Sequence, residues 1–406
     1  MYYVGLDVHQ YRTSVEILDC NGKGVKRLEV RGRWPALLEE LRKAPRPFAV
    51  CYEASCGYGY LYEELSKLAQ RVTVAHPAAL AWIYKSKKKH DRIDAIKLAK
   101  LLYLDEVPTV HVPAREIRLW RQTIEFRQKL LQMRVSAKNQ IRAFLRERGL
   151  AAPKNLWSGK GLAWLRTLEL DEAAGLHSEL LIDALQEANQ KMQRVEKYLN
   201  RVVDRQSGVA LLRTIPGIGR RSAEALMAYI DDVQRFGSIK EVGSYFGLIP
   251  CQDASADKNH LGHITREGPA TVRKLLCEVA WVAIRRSRTV GAYFQRVMHH
   301  DPERKKIALI ATAHYLLRVA ASMLRSGECW RESVELTQAA TEADAPGGGE
   351  NPSRPQGFSP PPNAPRLPTD RFLPSPLSPS PPPQPWAAQT TLKALHDAGG
   401  PSRQRK

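Results

Sequence analysis

The chain has 406 residues, with 62 Lys and Arg against 42 Asp and Glu for a formal charge of +20, which is too long for one ordinary core and predicts two or three folded units. That excess of cations favours a polyanionic partner, nucleic acid first, and no run of about 18 apolar residues or basic amphipathic anchor helix points to a membrane. Six scattered cysteines (Cys20, Cys51, Cys56, Cys251, Cys277, Cys329) form no C-x-x-C pair, which argues against a zinc site or disulfide framework and fits a reducing, cytoplasmic setting.

The opening MYYVGLDVHQ lacks the charged-then-apolar order of a signal peptide and reads as a first strand. YVGLDVH, TSVEILD and VKRLEV predict a three-stranded meander, with Asn21-Gly22 as a hairpin turn. PFAVCYEA predicts a buried strand ending near Glu53, LYEELSKLA a helix and RVTVAH another strand. The basic loop KSKKKH, holding Lys87, Lys88 and Lys89, leads into DRIDAIKLAKLL, whose apolar residues have helical spacing. From Arg115 to Arg148 runs one long helical pattern with ten Arg or Lys and three Glu. A second amphipathic helix is predicted over 178–205, with Leu181, Leu185, Met192, Val195 and Leu199 near one stripe; the two suit an antiparallel hairpin or a coiled-coil dimer contact. A mainly α unit then runs from VALLRTIPGIG to about Trp330. Beyond Ala345 the last 61 residues hold 16 of the 27 prolines, a composition that predicts disorder.

Asp7 lies near the end of the first strand, Glu53 at the end of a later one, and Asp91 and Asp94 three apart on a helix, where they share a face. An acid inside an apolar strand costs desolvation unless it is paired or binds a cation, which makes Asp7 harder to explain as a surface acid than the others. Asp91 alone reads equally well as an N-cap. Together the four supply the hard oxygen ligands that divalent ions on phosphate require.

In the C-terminal unit, TIPGIG before a helix resembles a helix-hairpin-helix turn, in which Gly217 and Gly219 either let backbone N–H groups approach a phosphate or serve tight packing. Ser255 falls in a polar stretch, and by spacing alone it is a solvated loop serine. His260, His263, His299 and His300 have no second ligand at metal spacing and read as structural or phosphate-facing.

With these residues in view, the sequence resembles the DEDD transposases of the insertion-sequence one-ten group over residues 1 to about 330. The matching segments are GLDVH with Asp7, YEA with Glu53 and KHDRIDA with Asp91 and Asp94, then IPGIG, RFGS, FGLIP, Ser255, G-x-I-T-x-x-G from Gly262 to Gly268, and Arg273. Ser255-Ala256 stands where that family commonly has Ser-Gly.

The resemblance implies an α/β plus α protein: a RuvC-like ribonuclease H-fold catalytic domain (1–110), a helical coiled-coil region (111–205) and a small α-helical transposase domain (206–332); the disordered Pro-rich tail (333–406), read from composition, has no counterpart in that family. It implies Mg²⁺ or Mn²⁺ on the four acids and Ser255 as nucleophile, forming a covalent phosphoserine link to DNA in sites completed by two protomers. The partners it implies are donor and target DNA, a structured guide RNA encoded by the element, and other copies of the chain in a dimer or tetramer. Lys87, Lys88, Lys89, Arg121, Arg127, Arg134, Lys138, Arg142, Gly217, Gly219 and Arg273 are the expected nucleic-acid contacts. Two other functions fit the same residues: a hydrolytic, metal-dependent junction-resolving nuclease, and a non-catalytic nucleic-acid-binding protein.

Overall fold

The computed structural model describes residues 1–55, 57–83, 91–255 and 258–332. The expected tail, and Lys87, Lys88 and Lys89, lie outside the described residues. The N-terminal part contains β1 (Tyr2–Val8), β2 (Arg12–Leu18), β3 (Gly24–Arg31), α1 (Trp34–Arg42), β4 (Phe48–Glu53), α2 (Tyr58–Leu65), β5 (Arg71–Ala75), α3 (Pro77–Ile83) and α4 (Asp91–Tyr103). Its strands form one sheet in the order β3-β2-β1-β4-β5. The meander β1–β2–β3 is antiparallel, while β4 joins β1, and β5 joins β4, in parallel. The predicted turn forms at Asn21-Gly22, where Gly22 adopts a φ of +74°, a conformation a side chain resists.

Alternation along the strands sorts side chains between two layers. Val4, Leu6, Val50 and Tyr52 meet Leu37, Leu38 and Leu41 of α1 and Leu61 and Leu65 of α2. Ala49 and Cys51 face Leu98, Leu101 and Leu102 of α4. The closest approach is at Gly5, where an added Cβ would collide with the backbone at Ala95 and Ala99; no side chain fits between β1 and α4 there.

The middle region is an antiparallel helical hairpin of α5 (Arg115–Glu147) and α7 (Glu172–Val203), joined through the short α6 (Gly159–Arg166). The second long helix begins six residues earlier than the periodicity predicts, because Asp171 caps it by accepting a hydrogen bond from the Ala174 N–H at 2.9 Å, a contact worth about 1 kcal/mol. Ile141, Phe144 and Leu145 of α5 pack on Leu181, Ile182 and Leu185 of α7.

The C-terminal part comprises α8 (Ser207–Leu212), α9 (Arg220–Ile230), α10 (Ile239–Tyr245), β6 (Pro250–Ser255), β7 (Lys258–Ile264), α11 (Ala270–Arg286), α12 (Arg288–Met298) and α13 (Lys305–Ser326). Most of these elements are helices, but β6 and β7 form an antiparallel hairpin where the sequence suggests a polar loop. One stretch, Pro302–Ser326, is long and apolar enough to cross a membrane, against the expectation that none is. Its Ala313, Leu316, Leu317, Ala320 and Ala321 are all fully buried in the core shared with α9 and α11, which accounts for its apolar character.

Candidate functional site

The strand ends and α4 determine where the four predicted acids stand. Leu6 pairs with Tyr52 across β1 and β4, so Asp7 and Glu53 stand one step further, side by side at the C-terminal ends of two parallel strands. Gly5 faces α4, and Asp7, two residues on, shares that face. Glu53 follows Cys51 on β4 by the same alternation.

The direction of α4 completes the arrangement. Tyr103, at its C-terminal end, packs edge-on against Tyr3 with ring centroids 5.3 Å apart, while Ala95 and Ala99 cross Gly5. The helix therefore runs antiparallel to β1, and its first turn, with Asp91 and Asp94, is carried toward the Asp7 end of the sheet. The side chain of Asp91 lies outside the described ones.

Two of these carboxylates, those of Asp7 and Asp94, stand against side-chain nitrogens. Asp7 Oδ2 lies 3.2 Å from His9 Nε2, and Lys97 Nζ donates to Asp94 Oδ1 at 3.1 Å. Among the described residues no three His, Cys, Asp or Glu side chains are gathered into a metal-binding group. An all-oxygen donor set on one face nevertheless fits a hard divalent cation, which would compete with His9 and Lys97 for Asp7 and Asp94.

Two features of this region escape the sequence patterns. Glu16, an acid inside β2, is buried and paired with Arg27, Nε to Oε2 at 2.6 Å and Nη2 to Oε1 at 3.1 Å. Ser14, the cross-strand partner of Asp7, is buried, and its hydroxyl has no hydrogen-bond partner among the described residues. Ser14 gives no signal in TSVEILD, since alternation predicts the strand but not which polar residue faces a helix, whereas the signal that could have found Glu16 is the desolvation cost of an acid between Val15 and Ile17.

Ser255 is the last residue of β6, paired with Lys258 at the tip of the two-stranded hairpin; its side chain lies outside the described ones. The root of that hairpin is braced. Gly247 and Gly268 both have positive φ, +61° and +65°, and each abuts backbone of the opposite segment, Gly247 at Glu267 and Gly268 at Tyr245. Arg273 Nη1 donates to the carbonyls of Phe246 at 3.3 Å, Gly268 at 3.0 Å and Glu267. The motif residues around Ser255 thus fix the base from which it projects, and Arg273, expected on nucleic acid, has this nitrogen committed to the fold.

The two glycines of IPGIG separate in the same way. Gly217, at φ +92°, lies against the backbone of Val279 and Ala283 in α11, so it serves close packing, whereas Gly219 precedes α9 with open space where a Cβ would stand.

The predicted cations of α5 also divide. Arg121 donates to the carbonyls of Ala228 at 2.7 Å and Tyr229 at 3.3 Å, and Arg127 donates through Nε and Nη2 to Glu196 Oε1 at 2.9 and 2.6 Å. Further along, Lys138 Nζ and Arg142 Cζ lie 4.9 and 5.1 Å from the Trp157 ring centre. Burial, and then the charges of Arg134 and Arg142, lowers the Lys138 pKa. Arg134, Lys138 and Arg142 have no carboxylate partner among the described residues.

Comparison with known proteins adds two family matches. A family model described as a transposase, of the DEDD type in IS110, matches residues 4–148, and one described as the transposase IS116/IS110/IS902 family matches residues 209–295. The chain is 28% identical over 284 residues to the transposase for insertion sequence element IS1328 of Yersinia enterocolitica, covering 68% of this chain and 83% of that one. It is 24% identical over 338 residues to a Pseudomonas aeruginosa protein named "Probable family 20 transposase", covering 81% of this chain and 98% of that one.

Proposed function

The chain belongs to the IS110 transposase family and is an enzyme that cuts and rejoins DNA, and from that premise we propose that its two matched regions divide the chemistry, the acids of the sheet serving the phosphate and Ser255 making the covalent link. The observation that carries this reading is the antiparallel crossing of α4 over β1 at Gly5, which turns Asp94 toward the strand ends bearing Asp7 and Glu53. The sheet order β3-β2-β1-β4-β5 with helices on both faces supports a RuvC-like, ribonuclease H-fold assignment for this part.

A DEDD transposase domain implies a divalent metal. In this reading the ion is Mg²⁺, held by Asp7, Glu53, Asp91 and Asp94, and when bound it supplies Lewis-acid polarisation of the phosphate oxygens. The protein's own groups do the rest. Ser255 Oγ attacks the scissile phosphorus, losing its proton; a Ser–O–P bond forms as the P–O bond to the departing strand breaks, and that strand's oxygen takes up a proton. The hydroxyl of a new strand then attacks the same phosphorus and restores the serine. The phosphate ester is retained throughout, so rejoining needs no energy-supplying cofactor.

The braced hairpin root suits this role, because a nucleophile must be held by elements that do not shift. Arg134, Lys138 and Arg142 lie on the phosphates of DNA or of an element-encoded guide RNA, and the helical hairpin brings protomers together so that one copy's Ser255 serves another's carboxylates.

The test is to incubate the full chain with Mg²⁺, the element's DNA ends and its non-coding RNA. A protein–DNA adduct that survives denaturation is expected, lost in Ser255→Ala and in Asp7→Asn. Free nicked ends without an adduct would favour the hydrolytic nuclease, and normal recombination by Ser255→Ala would overturn the nucleophile.

A further inference from the structure

The polar groups that β2 turns toward α4 differ in one respect. Glu16 is 4% exposed and has a double hydrogen bond to Arg27. Ser14, also 4% exposed, has no partner for its Oγ among the described residues. Buried hydroxyls are normally bonded, and one left unsatisfied costs desolvation without return. Close helix packing calls for a small residue at this position, but alanine meets that need without the cost. The hydroxyl therefore has a partner that this state does not present to it.

Its neighbour is Asp7. The two are Cα partners in the antiparallel β1–β2 pair, so their side chains share a face with Cβ atoms roughly 4.5–5.5 Å apart, and that face is the one α4 covers at Gly5. Asp7 Oδ2 is instead directed to His9 Nε2 at 3.2 Å, a ring on a half-exposed side chain at the β1–β2 turn.

We propose that Ser14 is a positioning residue of the carboxylate site: when Asp7 leaves His9 to bind a divalent cation, the Ser14 hydroxyl donates a hydrogen bond to the Asp7 carboxylate and fixes which of its oxygens faces the ion. This rests on the reading of Asp7 as a cation ligand. It makes the orphaned hydroxyl a part of the ion-loaded state, with its hydrogen bond made only there. Hydrogen bonds to ligating carboxylates are a regular part of metal sites, and losing one weakens metal affinity about tenfold or more.

The experiment uses the full chain with Mn²⁺ alone as probe, following binding by the loss of free-ion paramagnetic resonance and melting temperature with and without the ion. Ser14→Ala is expected to weaken Mn²⁺ binding about tenfold while the metal-free melting temperature stays equal to or above that of the unsubstituted protein, since the change deletes an unsatisfied group. Ser14→Thr, which keeps the hydroxyl, is expected to bind Mn²⁺ more tightly than Ser14→Ala. Unchanged Mn²⁺ affinity in Ser14→Ala, or a lowered metal-free melting temperature with affinity intact, would overturn the proposal in favour of a packing role. Asp7→Asn separates the two readings: if it too binds Mn²⁺ normally, the assignment of Asp7 as a ligand fails, and Ser14 with it.

Discussion

The two ends of α5 carry the same kind of residue under opposite conditions. Near its start, Arg118 bonds to Glu63 and to the carbonyls of Pro113 and Gly59, Arg121 to two carbonyls of α9's end, and Arg127 to Glu196 on α7. Trp120, between them, donates to Glu224 Oε1 at 3.0 Å, and Arg221 donates to Glu224 Oε2 at 2.7 Å. Further along, Arg134, Lys138 and Arg142 stand four residues apart, with Trp157 beside Lys138 and Arg142 and Asn139 accepting from Arg142 at 3.5 Å. Charge per residue is similar at both ends, yet the first set joins the N-terminal part, the hairpin and the C-terminal helices while the second has no carboxylate partner among the described residues. Net charge along a sequence counts cations; only the fold says which of them are already engaged.

The largest expected effect follows from the engaged end. Glu224 is 1% exposed and holds both Trp120 and Arg221. Replacing it in Glu224→Ala leaves a guanidinium and an indole N–H without their carboxylate, and removing one partner of a buried pair costs about 3 kcal/mol or more. Urea denaturation of the full chain should show that loss, with nucleic-acid binding by the remaining folded protein unchanged. A loss below about 0.5 kcal/mol, the range of ordinary surface changes, would mean that the start of α5 is not the joint its contacts describe.

Which parts of this were legible beforehand follows from the kind of signal each leaves. Strands β1 to β5 are readable because apolar alternation reports a sheet with covered faces, and Asp7 stands out as an acid inside such a run. The role of Gly5 is not readable, since a glycine in GLDVH says nothing of a helix whose backbone touches it. The β6–β7 hairpin is hidden because PCQDAS and KNHLGHI have no apolar face to alternate. Ser255 owes its notice to the resemblance alone. The division of Arg121 and Arg127 from Arg134, Lys138 and Arg142 is invisible because the partners of the first set, Glu196, Ala228 and Tyr229, lie far along the chain.

His314 adds a third condition, a largely covered ring whose Nε2 has no hydrogen-bond partner among the described residues. Its Nε2 is unbonded against Gly243, and burial, then the charge of Arg318, lowers its pKa from 6.5 to about 4. Between these values the unfolded chain takes up a proton that the folded one refuses. Stability is therefore full above pH 6.5 and falls as pH drops toward 4, by roughly 3 kcal/mol in total. Equilibrium unfolding from pH 7 to pH 4 should show this fall, and His314→Leu should flatten it. An equal pH dependence in that variant would assign the titration to other groups and leave His314 outside the contrast.

The smallest effect tests the unengaged end, where two readouts should separate. Neutralising Arg134, Lys138 and Arg142 together relieves like-charge repulsion at four-residue spacing, worth about 0.2–0.5 kcal/mol per pair. It also gives up the cation–π interactions with Trp157, about 0.5–1 kcal/mol each at such sites. These opposing contributions leave folding stability within about 1 kcal/mol of its starting value. Nucleic-acid affinity should fall, and the slope of log affinity against log salt should flatten by about 0.9 for every duplex phosphate that is no longer neutralised. The matched change at the other end, Arg121→Ala with Arg127→Ala, should do the reverse, lowering stability and leaving the slope in place. If both sets flatten the salt dependence equally, the internal hydrogen bonds of Arg121 and Arg127 do not withhold them from phosphate, and α5 acts as one continuous basic surface.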